Sequence, residues 1–153
     1  MRQNPIKIMN AQTQDIDDLV KLLQQLFSIE KDFTFDPEKH KKGLRMMLDG
    51  CGKHRVVKVA WLDRQIVGMC TAQSRISTAS GSLTAVLEDL VVDARYRGNG
   101  FGTALLNEME QWAQRLGIQH LSLLADRENT LALTFYSLKK WKQTRMISLT
   151  KAL

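Results

Sequence analysis

The hydrophobic and polar positions of this chain follow two periods, which predict a mixture of strands and helices. A brief alternation over residues 6–9 predicts a first strand. Apolar residues then recur at helical spacing over residues 16–27, which predicts an amphipathic helix. Asp36 followed by Pro37 predicts the start of a second helix, which ends at the turn of residues 49–52.

The rest of the chain alternates strands with helices. The predicted elements are strands at 55–62, 66–73 and 83–92, a helix at 102–116, a strand at 120–125, a helix at 130–139 and a final strand at 144–150. The complete order is β-α-α-β-β-β-α-β-α-β, which predicts an α+β fold. With no linker or internal repeat, we expect residues 1–153 to form a single domain.

Composition favours a cytoplasmic protein. A chain of 153 residues buries roughly 70% of the surface of its unfolded state, so neither a disulfide nor a metal is needed for stability. Cys51 and Cys70 show no paired spacing and are interpreted as free thiols of a reducing compartment. The sequence shows no signal peptide and no apolar run of the roughly 20 residues that would span a bilayer, so no membrane association is expected.

The net charge of +6 is compatible with nucleic acid, an acidic partner or a polyanionic cofactor. The basic residues are spread along the chain, and the only clusters lie at 39–42 and 139–142. Neither cluster has aromatic residues interleaved on a sheet, so no nucleic acid partner is expected. A nucleic-acid-binding module remains a third hypothesis that rests on charge alone.

A glycine-rich corner at residues 97–103 joins a predicted strand to a predicted helix. Glycines at 98, 100 and 102 permit positive φ, and the first N–H groups of the helix lack intrahelical partners. Such a corner binds anions, phosphates above all. No lysine follows the glycines, which excludes a Walker-type P-loop. The spacing Gly98-x-Gly100-x-Gly102 and the distance from Val92 disfavour a dinucleotide fingerprint.

The segment Arg97-Gly98-Asn99-Gly100-Phe101-Gly102 resembles the acetyl-CoA pyrophosphate loop of the GNAT acyltransferase superfamily. The element order is also similar to that fold over nearly the whole chain. The resemblance implies a mostly antiparallel sheet of six to seven strands flanked by about four helices, and acetyl-CoA as the acyl donor. The residues it implies as cofactor contacts are Leu90, Val91 and Val92 on the strand and Arg97, Gly98, Asn99, Gly100, Phe101, Gly102 and Thr103 in the corner.

Glu88 is the expected general base. A lysine-like amine has a pKa near 10.4, so its deprotonation at neutral pH costs roughly 4 kcal/mol before it can attack a thioester. A base is therefore needed, directly or through water. Period-2 alternation places Glu88 on the strand face of Leu90 and Val92. Asp89, on the opposite face, is the second choice, and the alternative for Glu88 is a surface carboxylate paired with a lysine.

Asn129 and Tyr136 are separated by about two helical turns, which places them on one helix face. The spacing resembles the family's Asn-x6-Tyr pattern, which implies that Asn129 contacts the pantetheine arm and that Tyr136 protonates the departing thiolate. The alternatives are an N-cap asparagine and a core tyrosine. Lys140-Trp141 stands where the family usually has Gly-Phe, so this helix must end without a glycine cap.

The resulting hypothesis is an N-acetyltransferase that moves acetyl from acetyl-CoA to a primary amine by direct attack, with Glu88 as base, Tyr136 as acid and no metal. A small-molecule acceptor is favoured over a protein amine. The acceptor pocket is expected around Phe33-Thr34-Phe35, with a second subunit of a homodimer as a further contributor. The alternatives are a protein or peptide acetyltransferase and a non-catalytic acyl-CoA-binding regulatory module.

Overall fold

The computed structural model describes residues 5–50 and 53–153, so Cys51 lies outside the described residues. The strands are β1 (Lys7–Asn10), β2 (Arg55–Leu62), β3 (Gln65–Ser77), β4 (Ser82–Val92) and β5 (Leu121–Leu123). The helices are α1 (Ile16–Ile29), α2 (Pro37–Leu48), α3 (Phe101–Arg115) and α4 (Thr130–Leu138). Short 3₁₀ turns precede α1 at Thr13–Asp15 and α3 at Ala94–Tyr96.

The five strands lie in the sheet in sequence order. The first three pairs are antiparallel, and β5 is parallel to β4. This arrangement confirms the predicted α+β class and the predicted element order up to α4. The predicted start of α2 is also confirmed, because Pro37 is its first residue and the Asp36 carboxylate accepts a hydrogen bond from the Lys39 N–H at 3.2 Å.

Two expectations about the sheet are wrong. The sheet has five strands rather than six to seven, because the predicted strand at 144–150 does not form within the described chain. The strand expected at 120–125 is limited to β5, which has three residues. Both errors fall on the same side of the sheet. A strand is stable only where a neighbour completes its hydrogen bonds, and β4 is the only described neighbour of β5.

Helices cover both faces of the sheet. On one face α3 packs over Val56, Cys70, Ala85 and Leu87 through Leu105 and Met109. On the other face α1 packs over Val57, Val59, Met69 and Val91 through Leu19 and Leu23. Burying each such side chain stabilises the fold by about 1.5 to 3 kcal/mol. Among the described helices, none is long and apolar enough to cross a membrane.

Candidate active site

A β-bulge interrupts β4 where the sequence predicts the site. Thr71 of β3 faces Glu88, whereas Met69 faces Val91. Two residues of β4, Asp89 and Leu90, therefore lie opposite the single residue between Met69 and Thr71. The backbone of Asp89 takes a left-handed conformation with φ of 52°. An aspartate adopts that region more readily than most residues, which favours this position for the bulge.

The bulge changes which residues share a face. Leu87 and Leu90 both pack on the side of α3, although strict alternation would place them on opposite faces. Val92 also packs on that side, whereas Val91 is buried on the side of α1. The prediction that Glu88 shares the face of Leu90 and Val92 through regular alternation is therefore wrong, because the extra residue shifts the phase of the strand.

The ladder between β4 and β5 stops just before the bulge. β5 pairs with Ala85, Val86 and Leu87 only. On the side of β4 that faces away from β3, residues Glu88 to Val92 therefore have no described strand beside them. The resulting gap contains a cavity of about 40 Å³. The residues that line it are Glu30, Leu87, Glu88, Asp89, Leu90, Leu106, Leu123, Leu124 and Tyr136. The cavity thus brings Glu88 and Asp89 together with Tyr136, which lies far from them in the sequence.

Two carboxyl groups of this cavity, those of Asp89 and Glu30, are partly withdrawn from water. Burial raises the pKa of Asp89 to about 6, and the neighbouring Glu88 adds to the increase. The hydrogen bond from the Thr71 hydroxyl to Asp89 Oδ2, at 3.1 Å, opposes that increase. Burial, followed by the charge of Asp89, also raises the pKa of Glu30. The cavity therefore concentrates negative charge in a site of limited solvation.

Tyr136 is held by aromatic neighbours on two sides. Its ring makes edge contacts with Phe135 and Trp141, at centroid distances of 5.4 and 5.9 Å. Burial raises the pKa of Tyr136 to about 12, with smaller contributions from Cys70 and Glu30. The phenol therefore stays protonated across the physiological range and can donate a hydrogen bond into the cavity.

The end of α4 explains how Trp141 reaches that ring. Lys140 has φ of 68°, and its N–H donates to the Ser137 carbonyl. The Trp141 N–H donates to the Tyr136 carbonyl at 3.1 Å. These bonds form a Schellman motif, in which a lysine occupies the position that usually holds glycine. The motif also brings the residue after the turn against the last helical turn, which places Trp141 beside Tyr136.

Asn129 is the N-cap of α4. Its side-chain oxygen accepts a hydrogen bond from the Ala132 N–H at 3.1 Å, which fixes the start of the helix. Oδ1 of Asn129 therefore has the N-cap role, which is the alternative to a cofactor contact that the sequence left open. The amide nitrogen of the same side chain is not used by the cap, so the predicted contact with the pantetheine arm stays a prediction.

Cys70 contacts Glu88, which lines the cavity, although the two residues are distant in the sequence. Its thiol is buried and its Sγ lies 3.6 Å from the Glu88 carbonyl oxygen, to which it donates a weak hydrogen bond. Burial raises the pKa of the Cys70 thiol above its usual range. The thiol is therefore protonated at neutral pH and is a poor nucleophile.

The glycine corner takes positive φ at two of its three glycines, whereas Gly102 lies inside α3. Gly98 and Gly100 have φ of 76° and 87°, and Gly100 is the N-cap of α3. The first helical hydrogen bond runs from the Ala104 N–H to the Gly100 carbonyl. The N–H groups of residues 101–103, which include Phe101 and Thr103, have no intrahelical partner and form a positive helix end.

Side chains of the corner hold its backbone in place. Arg97 Nε donates to the Val92 carbonyl at 2.9 Å, which ties the corner to the end of β4. Asn99 Nδ2 donates to the carbonyls of Tyr96 and Arg97. A Cβ added at Gly102 would lie 3.3 Å from the Phe135 ring. Gly102 therefore permits the close packing of α3 and α4 that sets the corner beside the cavity.

Sequence reasoning missed several contributors to this site. Glu30 enters the cavity from the end of α1, Thr71 holds Asp89 from β3, and Trp141 supports Tyr136. Glu30 follows an ordinary amphipathic helix, and nothing in the adjacent sequence marks it. The Thr71 contact depends on the bulge. Only the Lys140-Trp141 pair carried a local signal, as a departure from the glycine expected after the helix.

The family assignment follows from a match over most of the chain. A family model described as "Acetyltransferase (GNAT) family" matches residues 18–139. The chain belongs to this family and is an acetyltransferase by class, which confirms the resemblance seen in the sequence. Acetyl-CoA is the cosubstrate that the family uses. No curated protein matches the chain significantly.

Three solved structures have the same fold. A transcriptional regulator from Bacillus halodurans C-125 is 22% identical, with a TM-score of 0.83 over 97% of this chain and 100% of that one. Glucosamine-6-phosphate N-acetyltransferase from Arabidopsis thaliana is 19% identical, with a TM-score of 0.77 over 97% and 99%. An aminoglycoside antibiotic 6'-N-acetyltransferase from Acinetobacter baumannii is 21% identical, with a TM-score of 0.79 over 97% and 99%.

Proposed function

We propose that this protein transfers acetyl from acetyl-CoA to a primary amine of a small cationic molecule by direct attack. The observation that carries the proposal is the cavity at the bulge of β4, where Glu88 and Asp89 meet Tyr136. A base and a hydrogen-bond donor that line one cavity beside a strand edge are what aminolysis of a thioester requires.

The cofactor lies between the corner and the cavity in this proposal. The pyrophosphate accepts hydrogen bonds from the backbone of residues 98–103, at the positive end of α3. Arg97 adds charge, since its Nε is used by Val92 while its terminal nitrogens remain available. The pantetheine arm follows the edge of residues 90–92, where no strand from the side of β5 pairs with β4 and the Val92 carbonyl is used by Arg97. One backbone N–H aimed at the developing oxyanion is worth around 3 kcal/mol.

Asp89 is the carboxylate best suited to act as the base. With its pKa raised to about 6, it is ionised at neutral pH and more basic than an ordinary aspartate by about two units. Glu88 is exposed and well solvated, which leaves it the second candidate. These observations support Asp89 ahead of Glu88 as the base, the reverse of the order predicted from the sequence, and substitution of each carboxylate distinguishes them.

Tyr136 acts on the leaving group in this proposal. A thiol is more acidic than a phenol with a pKa of about 12, so complete proton transfer from Tyr136 alone is uphill. Tyr136 therefore donates a hydrogen bond to the departing sulfur and relays a proton that the attacking nitrogen releases. Two protons leave the ammonium nitrogen: Asp89 takes the first and releases it to solvent, and Tyr136 passes the second to the sulfur. The products are thiol, amide, neutral phenol and one released proton.

Direct transfer is supported by the state of Cys70. An acyl-enzyme would need a thiolate, whereas this thiol is buried and its pKa is raised. Cys70→Ser is therefore expected to lower the stability of the protein, while acetyl transfer still occurs in a single step. Isotope-labelled acetyl that becomes trapped on the protein in the absence of acceptor would contradict direct transfer.

The acceptor is cationic because the cavity is acidic. Glu30, Glu88 and Asp89 line it, and the charge of Asp126 also raises the pKa of Glu30. Such a site attracts a polyamine or a polyamino sugar and repels a phosphorylated amine. Two of the solved relatives act on amino sugars by their names, an aminoglycoside and glucosamine 6-phosphate. Among these we expect the unphosphorylated, multiply charged acceptor to be preferred.

The test is turnover of labelled acetyl-CoA with polyamines, polyamino sugars, phosphorylated amino sugars and lysine peptides. We expect Asp89→Asn and Tyr136→Phe each to lower kcat about a hundredfold while acetyl-CoA affinity changes less than about twofold. Tyr96→Phe is the matched control, because the Tyr96 hydroxyl contacts Gln65 away from the cavity. If Glu88→Gln abolishes turnover and Asp89→Asn does not, the base is Glu88 rather than Asp89.

A second candidate function is acyl-CoA sensing, which the name of the Bacillus halodurans relative favours. A sensor would bind acetyl-CoA but acetylate none of the acceptors. Preference for peptides over every small amine would instead support a protein acetyltransferase.

A further inference from the structure

A second cavity lies at the other end of β4 from the active site. It has a volume of about 390 Å³, which is in the range of small-molecule sites. Residues 75–79 at the end of β3, Thr84 of β4 and residues 120–122 at the start of β5 line it, and we call it the hairpin cavity. Among the described residues, none lines both cavities. Thr84 and Glu88 are separated by about 13 Å of strand, so the hairpin cavity is a distinct site.

The polar side chains of the hairpin cavity are hydrogen-bond donors. They belong to Arg75, Ser77, Thr78, Thr84, His120 and Ser122. Arg75 supplies a permanent positive charge, and no described residue that lines the cavity is an aspartate or a glutamate. The active-site cavity has the opposite character, because Glu30, Glu88 and Asp89 line it. The hairpin cavity therefore attracts an anion.

The strand register brings three of these side chains to one face of the sheet. Arg75 is directly opposite Thr84 in the ladder of β3 and β4, and Val86 is opposite Ser122 in the ladder of β4 and β5. Directly opposite residues share a face of the sheet, and so do residues two positions apart on one strand. Arg75, Thr84 and Ser122 therefore lie on the same side. That side faces away from α3, which packs over Ala85.

Two of these groups have no partner within the described chain. Thr84 Oγ1 is buried and makes no hydrogen bond with the described residues. Arg75 is exposed, and its guanidinium forms neither a hydrogen bond nor an ion pair with any of them. A buried polar atom without a partner is rare in native proteins and is often explained by a water or an ion. The Cβ atoms of directly opposite residues are about 5 Å apart, so one anion can contact both side chains.

We propose that the hairpin cavity binds a small phosphate monoester, whose phosphate contacts Arg75 and Thr84. The planar guanidinium donates two parallel hydrogen bonds to phosphate oxygens. A phosphate monoester has three terminal oxygens, one more than a carboxylate, which suits donors that converge from three strands. Ile76, Ala79 and Leu121 also line the cavity and offer apolar contacts to the carbon skeleton of the ligand. The site is independent of the proposed acetyl transfer.

The test must separate this site from the glycine corner, which also favours phosphate. The full chain is therefore first mixed with saturating acetyl-CoA, and glycerol 3-phosphate is then titrated at constant ionic strength. Amide chemical shifts in ¹H–¹⁵N NMR spectra report where the probe binds. We expect saturable shifts over residues 75–84 and 120–122, with no change over residues 97–103. Because the two sets of residues are separate, failure of acetyl-CoA binding and failure of the hairpin cavity are distinguishable.

Substitution of the two contact residues tests the geometry. We expect Arg75→Gln to weaken binding of glycerol 3-phosphate about tenfold and Thr84→Val about fivefold, because each removes a donor to the phosphate. Acetyl-CoA affinity should stay within about twofold in both variants. Arg64→Gln is the matched control, since it removes the same charge just before β3 begins, at the opposite end of that strand from Arg75.

Several results would overturn the proposal. One is the absence of shifts over residues 75–84 and 120–122. Others are shifts that do not saturate or that weaken equally in Arg75→Gln and Arg64→Gln, because either would indicate only a general attraction between the anion and a basic protein. Tighter binding of citrate than of glycerol 3-phosphate would assign the cavity to carboxylates instead.

Discussion

At the scale of single residues, Asp89 occupies a position that lowers the stability of the fold at neutral pH. It occupies the left-handed position of the bulge, and its carboxyl group is largely buried beside Glu88. The unfolded pKa of 3.8 rises to about 6 in the folded state. The folded state therefore binds a proton more tightly, so the contribution of this group to stability is present below about pH 4 and is lost as the pH rises through about 6.

We therefore expect Asp89→Asn to stabilise the protein at pH 8 while it lowers activity. Asparagine tolerates the left-handed backbone and can keep a hydrogen bond with Thr71, but it carries no buried charge. The expected gain is about 1 to 3 kcal/mol at pH 8 and falls towards zero near pH 4. Urea unfolding at both pH values measures it.

Asp93→Asn is a useful contrast to that variant. The hydrogen bond from Arg95 lowers the pKa of Asp93 to about 2, so its ionised form stabilises the fold above about pH 4 and this contribution is lost as the pH falls through about 2. Removing this charge should destabilise the protein at neutral pH. If the two variants changed the free energy of unfolding equally and in the same direction, the opposite pKa shifts of Asp89 and Asp93 would be contradicted.

At the scale of single elements, Gly100 at the start of α3 and Gly43 inside α2 are expected to affect stability in opposite directions. Gly100 caps α3 with φ of 87°, a region that costs other residues roughly 1 to 2 kcal/mol. Gly100→Ala should destabilise the protein by about that amount and weaken acetyl-CoA binding. Gly43→Ala, inside α2 with open space around it, should stabilise by about 0.8 to 1 kcal/mol. Chemical denaturation and calorimetric titration separate the two outcomes.

At the end of α4, a position that favours glycine is occupied by another residue. Lys140 occupies the left-handed position of the Schellman motif, so Lys140→Gly should stabilise the protein by about 0.5 to 1 kcal/mol. Turnover should stay unchanged, because Trp141 and Tyr136 keep their contact. Lys139→Gly, at a residue with φ of −99°, is the matched control and should give no stabilisation. A loss of stability in Lys140→Gly would show that the lysine side chain supports the turn.

At the scale of the whole molecule, acetyl-CoA should raise thermal stability. A ligand at 100 times its Kd stabilises the folded state by about 2.7 kcal/mol, which for a chain of this size shifts Tm by roughly 5 to 10 °C. Differential scanning fluorimetry measures the shift, with Arg97→Ala expected to reduce it at a fixed cofactor concentration. Full retention of the shift in that variant would remove Arg97 from the proposed cofactor site.

The errors of sequence-based prediction cluster where distant segments meet. The helices and the glycine corner were predicted with the correct positions, because helical periodicity and positive φ are properties of adjacent residues. The face of Glu88 was predicted wrongly, because a bulge depends on the register between β3 and β4. Similarly, the length of β5 and the fate of residues 144–150 depend on which neighbour pairs with them.

By itself, the sequence determined the order of the elements up to α4, the glycine corner before α3 and the resemblance to the acetyltransferases, since each is encoded in residues close together in the chain. The tertiary structure alone decided that Asp89 takes the bulge, that Glu30 and Tyr136 share its cavity, and that the edge of β5 stays open. The physical reason is that burial, charge coupling and strand pairing are interactions between residues far apart in sequence. The chain specifies them only through the complete packing of the fold.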